Sequence, residues 1–312
     1  MVFEYFYSPF SATVLQMLQA LLSVLSMGMI PSAGWTSMLP SIPAQIGVAP
    51  PAIEFQVASR LSASGVIIID AQSGQRVFGR QFDVPRPMAS LTKLMTAMII
   101  VEHHKLSEVM RIPQGIDSSQ STVHLPAGEQ FTVGDVLSAM LVPSANDAAV
   151  ALAVYHSGSV EAFVQEMNVR ATALGLTQTS FENPAGFDAS LQHSTPQDIA
   201  WLTMAALRHP AIQKRLGIRG VRITSLQGTE ISLTHTHALL HANGVVKAGK
   251  TGTTSGANEC LMSVVEENGR RYIVVILDSL QRYQDMSTIL AALDASLVKD
   301  PTSVTLRTAV RP

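Results

Sequence analysis

Cysteine is nearly absent. Cys260 is the one such residue in the 312-residue chain, so no internal disulfide can form and stability must come from packing. A lone thiol fits either a reducing compartment or an exported protein that does without bridges. Charge is scarce too. Lys, Arg, Asp and Glu make up 14% of the chain and nearly cancel, leaving a formal net charge of −2. With no basic run, the electrostatic footprint of a nucleic-acid binder is missing. No internal repeat is present, which argues against a solenoid or propeller. Apolar residues make up 47%, enough for one large domain or two lobes sharing an interface and too many for long disorder.

The N-terminus also lacks something: no Lys or Arg precedes Arg60. Ala12 to Ile30 is mostly apolar, interrupted by Gln16, Gln19, Ser23 and Ser26. That length suits a signal-peptide core or a weak membrane anchor, expected over residues 1–32, although the usual basic flank is replaced by Glu4. The competing reading is an amphipathic packing helix, because Leu15, Leu18, Leu22 and Leu25 recur at helical spacing. Residues 33–60, rich in Pro, Ser, Gly and Ala, read as a linker. A folded domain is expected over 61–300, followed by a tail over 301–312.

Within that domain, Val66 to Asp70 and Gln75 to Gly79 flank Ser73-Gly74 and predict an opening hairpin. Helices are predicted over 91–104, 133–141, 146–155, 160–174 and 196–208, with Thr195 as an N-cap before Pro196. Strands return at 231–235, 244–250, 259–265 and 271–277, the last two joined by Asn268-Gly269. A helix over 286–297 closes the domain. Strands, helices, strands and a helix, in that order, predict a mixed α/β (α+β) domain. Its antiparallel sheet is built from both chain ends, with a helical lobe at about 90–215 inserted between them.

Three short constellations carry chemistry. In Ser90-Leu91-Thr92-Lys93, three steps along a helix bring Lys93 beside Ser90. A serine hydroxyl is a poor nucleophile until a base takes its proton, and a lysine of lowered pKa is such a base. In Ser144-Ala145-Asn146, after Pro143, a hydroxyl and a carboxamide can face one cleft. In Lys250-Thr251-Gly252-Thr253, a glycine at a strand end lets a ligand approach the backbone. Each is weak alone, since helix caps, surface lysines and turns produce the same patterns. Together, in this order and at intervals of about fifty and about a hundred residues, they form the motif set of penicillin-binding proteins and serine β-lactamases.

The resemblance extends beyond those motifs. Pro87 to Ala97 resembles the active-site segment of the D-alanyl-D-alanine carboxypeptidase/endopeptidase group of low-molecular-mass penicillin-binding proteins. Leu141 to Ala149 resembles its second motif, with Ala145 where Gly is common. Asn183-Pro184-Ala185-Gly186-Phe187-Asp188 and His193 to Asp198 resemble two more of its segments. The likeness spans roughly Ser64 to Leu297 and implies the β-lactamase/transpeptidase-like fold. It further implies that Ser90 attacks the D-Ala-D-Ala carbonyl, that Lys93 takes its proton, and that Ser144, linked to Lys250, passes a proton to the leaving amine. Asn146 would hold the substrate amide. The backbone amides of Ser90 and Thr253 would bind the oxyanion, and Thr251, Gly252 and Thr253 would line the substrate site. A substrate-binding arginine is expected, with Arg282 preferred over Arg270 and Arg271.

The implied partners are peptidoglycan stem peptides, with β-lactams as covalent inhibitors, on the periplasmic or extracellular side. No cofactor or metal is implied. About sixty residues follow Lys250, so the further C-terminal β-domain and anchor of many relatives are expected to be lacking, as in the endopeptidase subgroup.

Three other readings compete. A serine β-lactamase would need a residue to activate water, and Glu182 lies at about the right interval but lacks the Glu-x-x-x-Asn pattern. His235, His237 and His241 could be a zinc cluster, or simply polar strand surface. A non-catalytic wall-binding module would not need all three motifs intact.

Overall fold

A computed structural model describes residues 57–116, 121, 123–242, 244–267 and 269–298. The expected signal or anchor segment, most of the linker and the tail lie outside the described residues. Among the described residues no helix is long and apolar enough to cross a membrane.

The strands are β1 (Gly65–Asp70), β2 (Arg76–Arg80), β3 (Val109–Arg111), β4 (Gln130–Thr132), β5 (Gly220–Thr224), β6 (Glu230–Thr234), β7 (Val246–Thr254), β8 (Asn258–Glu267) and β9 (Arg270–Ser279). The helices are α1 (Lys93–His103), α2 (Val133–Leu141), α3 (Asn146–Ser157), α4 (Val160–Ala173), α5 (Pro196–Ala206), α6 (Pro210–Gly217), α7 (Ala238–His241) and α8 (Arg282–Val298).

The main sheet has the order β2-β1-β9-β8-β7 and is antiparallel throughout. Strands from both ends of the domain therefore meet at the β1–β9 ladder, where Ile67 faces Val275. Side chains alternate across a strand, and here both faces are covered. Ile67, Ile69, Met262, Val264, Ile273 and Val275 pack into the core shared with the helical lobe. Val66, Ile68, Leu261, Val265, Val274 and Ile276 pack on the other face against Met286, Ile289 and Leu293 of α8. Double coverage explains why β1 reads as an unbroken apolar run. The two ends are also stitched by buried Asp285, which accepts hydrogen bonds from Ser62 N at 2.8 Å, Ala63 N at 2.9 Å and Ser279 Oγ at 2.6 Å.

The central helix of the lobe is α1, buried from Lys93 to Ile100. A helix apolar on all sides belongs in a core. Its neighbours are started by side-chain caps: Thr132 on Asp135 N, Ser159 on Ala162 N, and Thr195 on Asp198 N with Pro196 following. Glu267 pairs with Arg270 and Gly269 has φ +75°, the tight reversal expected at 268–269, although Asn268 itself is outside the described residues.

Several expectations are corrected. Strand β7 continues through Thr254 rather than ending at Lys250, because Gly252 pairs with Cys260 in the ladder. Thus the Lys-Thr-Gly-Thr motif lies on the sheet edge, not in a turn. The last helix starts at Arg282, not 286, which places that arginine in its first turn. The strand pairs β3–β4 and β5–β6 and the short helix α6 had no prediction, apart from β6 itself.

Candidate active site

Ser90 lies in a 3-10 turn, Ala89–Thr92, that runs directly into α1. Ala89 has φ +47°, a left-handed conformation that costs a non-glycine residue of order 1–3 kcal/mol. What holds it there is close packing from two glycines. A Cβ on Gly186 would sit 2.0 Å from Ala89 O, and one on Gly252 would sit 2.9 Å from Ser90 N. Gly186, at φ +93°, lies in a loop that folds on itself, since Asn183 Oδ1 accepts from Gly186 N at 2.7 Å and Phe187 N at 3.0 Å. Thr96 Oγ1 donates to Pro184 O at 2.7 Å, pinning that loop to α1.

The result is a fixed setting for Lys93, which is fully buried. Its Nζ lies 2.8 Å from Ser90 Oγ, 2.7 Å from Asn146 Oδ1 and 2.6 Å from Ala185 O. Burial foremost, then the Lys250 ammonium, holds its amine well below the usual lysine range, against a smaller opposing pull from Asp147.

Ser144 precedes α3 and is itself left-handed, at φ +68°. It does not cap the helix; Ala145 occupies that position, held by Ala145 N donating to Ala139 O at 3.0 Å. Ser121 Oγ steadies the first turn of α3, accepting from Asn146 N at 2.9 Å and donating to buried Asp147 at 2.9 Å. Lys250, buried on β7, donates to Ser144 Oγ at 2.6 Å and to Thr251 O at 2.8 Å. Burial, then Arg282, lowers its pKa to about 7. Two hydroxyl–lysine pairs therefore sit in one site, and both lysines carry strongly weakened charge.

A cleft of about 350 Å³ opens over these groups, lined by Ser90, Ser144, Asn146, Thr251, Gly252, Thr253 and Arg282 together with Pro143, Thr236 and Tyr283. Arg282 donates through Nη1 to Gly252 O at 2.8 Å and through Nη2 to Thr253 Oγ1 at 2.5 Å and Glu259 Oε1 at 3.3 Å. Arg270 and Arg271 lie at the opposite end of β9, paired across the ladder with Glu267 and Glu266.

Sequence reasoning gave no role to Ala185, whose contribution is a main-chain carbonyl, nor to Gly186 beneath Ala89. Asn183-Pro184-Ala185-Gly186 was the available signal. Thr236 was also missed; its hydroxyl lies 2.6 Å from Thr251 Oγ1.

His235, His237 and His241 each spend one ring nitrogen on a protein partner, while His235 Nε2 and His237 Nδ1 are buried without one. His237 Nε2 lies 2.8 Å from Ser263 Oγ, His235 Nδ1 accepts from His237 N at 3.0 Å, and His241 Nε2 donates to His235 O at 2.8 Å. Burial lowers His235 to about 3 and His237 to about 4, so both are neutral. Glu182 turns its carboxylate to Leu191 N at 2.7 Å and does not line the cleft. Cys260 is buried and its thiol is pushed up to about 12, which makes it unreactive.

Residues 52–281 match the sequence profile of a family described as D-alanyl-D-alanine carboxypeptidase. The chain is 31% identical over 220 residues to the D-alanyl-D-alanine carboxypeptidase DacF of Bacillus subtilis, covering 69% of this chain and 57% of that protein. It is 29% identical over 246 residues to a D-alanyl-D-alanine endopeptidase of Pseudomonas aeruginosa, covering 75% and 77%. In fold it matches a Streptomyces DD-transpeptidase, with TM-score 0.70 and 23% identity over 76% of this chain and 98% of that one. A D-alanyl-D-alanine carboxypeptidase from Mycobacterium tuberculosis matches with TM-score 0.69 and 25% identity, over 77% and 92%.

Proposed function

The chain belongs to the D-alanyl-D-alanine carboxypeptidase family, and on that premise we propose that it is an exported serine D-Ala-D-Ala peptidase acting on peptidoglycan stem peptides through a Ser90 acyl-enzyme. The observation that carries this reading is the set of contacts around Lys93 Nζ. A neutral amine has two hydrogens and one lone pair. Asn146 Oδ1 and Ala185 O can only accept, so they take both hydrogens. The lone pair is left for the Ser90 hydroxyl. Burial supplies the neutral amine, and the carbonyls supply its aim.

Ser90 Oγ then attacks the carbonyl between the two D-alanines while its proton passes to Lys93. The amides of Ser90 and Thr253 stabilise the oxyanion; one such donor is worth ~10²–10³ in rate. As the C–N bond breaks, Ser144 gives a proton to the leaving amine and is resupplied through Lys250. Thr251, Thr253 and Arg282 receive the terminal carboxylate at the edge of β7, and Gly252 lets that strand pack closely against the Ser90 turn. Water releases the acyl group. A β-lactam acylates the same serine. Export is supported by the apolar Ala12 to Ile30 segment, since the substrate lies outside the membrane.

Carboxypeptidase and endopeptidase action share these steps and differ in what the groove accepts beyond the cleaved bond. Mass analysis of muropeptides after incubation tests the proposal. The wild type releases terminal D-Ala or opens crosslinks, and Ser90→Ala does neither. Equal product from Ser90→Ala removes Ser90 from the reaction. Against the lactamase alternative, nitrocefin gives a stoichiometric burst and not sustained turnover, because Glu182 is occupied by Leu191 N.

A further inference from the structure

Helices α1 and α3 begin at the cleft, with Lys93 and Asn146, and end together elsewhere. At those far ends stand His103, His104 and His156. They are joined by Glu108 and by Glu166 of α4. Along α1 the separation from Lys93 to His103 is about 15 Å, at 1.5 Å per residue, so this cluster is not part of the cleft.

The contacts run in series. Glu108 Oε2 lies 2.7 Å from His104 Nδ1, His104 Nε2 lies 2.9 Å from His156 Nδ1, and His156 Nε2 lies 2.9 Å from Glu166 Oε2. Each of the three contacts needs one shared hydrogen, and two neutral imidazoles bring only two. If His104 donates to Glu108 and His156 donates to His104, a bare lone pair on His156 Nε2 faces a carboxylate oxygen. A positive species belongs between them.

His103 identifies the species. Its Nδ1 donates to Ile99 O at 2.8 Å and lies 4.0 Å from Glu166 Oε1, so ligation falls to Nε2 on the half-exposed ring. Ligand atoms of His103, His156 and Glu166 lie within 4.8 Å of one another. The 2.9 Å between His156 and Glu166 is slightly under the edge of about 3.3 Å expected for tetrahedral zinc with bonds of about 2.0 Å. Arg170, one turn along α4, does not compete, because it donates to Glu102 at 2.6 Å. Cations are favoured at helix C-termini, and two such ends converge here. The Glu108–His104 pair stands behind His156 as carboxylate–histidine partners stand behind zinc ligands, fixing the tautomer.

We propose that His103, His156 and Glu166 form a zinc site that clamps the C-terminal ends of α1 and α3 to α4. Two imidazoles and a carboxylate suit zinc, and the exposed side leaves a fourth position for water. The clamp braces the two helices whose other ends carry Lys93 and Asn146.

Cobalt(II) and zinc titrations of the full chain, with thermal unfolding, test this. Wild type is expected to bind one equivalent of cobalt with the visible bands of a tetrahedral ion, which zinc displaces. His156→Ala and Glu166→Gln weaken binding at least about 100-fold, and Glu108→Gln about 10- to 100-fold. Zinc raises Tm in wild type and not in those variants, as binding to the folded state requires. Equal cobalt spectra in wild type and His156→Ala overturn the site. So does a Tm that falls with rising pH in metal-free protein while zinc leaves it unchanged, because the shared cation is then a proton.

Discussion

The two ends of α1 and α3 solve opposite problems with similar groups. At the start of these helices a lysine is fully buried, and burial holds its amine well below the usual lysine range. At their far ends His103 is half exposed and Glu166 is a third exposed, so both are open to water and to an ion. Both ends gather nitrogen bases beside oxygen acceptors. What differs is water. Exclusion of water makes a base out of Lys93, whereas access to water makes a cation site out of the histidines. Changes at the first end should therefore alter acylation, and changes at the second should alter stability.

The largest effect is expected at Lys93. Lys93→Met removes the base and lowers the rate of β-lactam acylation ~10²–10⁴-fold. Lys93→Arg does not restore it, because a guanidinium stays protonated. Recovery of the rate in the arginine variant, read in stopped-flow acylation, breaks the link between burial and basicity.

Next comes Gly186→Ala. Its Cβ meets Ala89 O, and φ is already +93°, so the Ser90 turn must shift. A displacement near 1 Å costs on the order of 10²-fold in rate. Acylation and Tm should both fall, whereas Gly158→Ala, also at positive φ but with open space around its Cβ, should lower Tm alone.

The pH dependence sharpens the contrast further. Lys250 has a folded pKa of about 7 against an ordinary 10.5. Between those values the unfolded chain binds more protons than the folded one, so stability rises with pH from about 7 toward about 10.5. Lys250→Met should flatten that rise in urea unfolding, and an unchanged slope contradicts the assigned burial effect. In acylation kinetics, activity should decline as Lys250 loses its proton near 7.

The smallest effect lies on the exposed side. Arg170→Ala breaks the pair with Glu102, whose side chains are 35% and 22% exposed. Such pairs contribute ~0–1 kcal/mol, so Tm should move little and acylation not at all.

Much of the molecule was legible before the fold was known. The three motifs needed no structure because each places reactive side chains within three residues. Unbroken apolar strands and the Asn268-Gly269 reversal marked the sheet. What escaped has physical reasons. Ala185 acts through a main-chain carbonyl, which any residue could supply. Strands β3 and β4 have three residues each, too short to show a period. In α6 only Ile212 and Leu216 are buried, one turn apart. The histidine cluster joins residues 52 positions apart, His104 and His156, and only packing of α1 against α3 brings them together.

The measurement that bears most directly on the central claim is the site of a penicilloyl adduct. Wild-type protein treated with benzylpenicillin should gain one adduct, and peptide mass mapping should place it on Ser90, with no adduct in Ser90→Ala. An adduct on Ser144, or equal labelling of the alanine variant, would contradict the account.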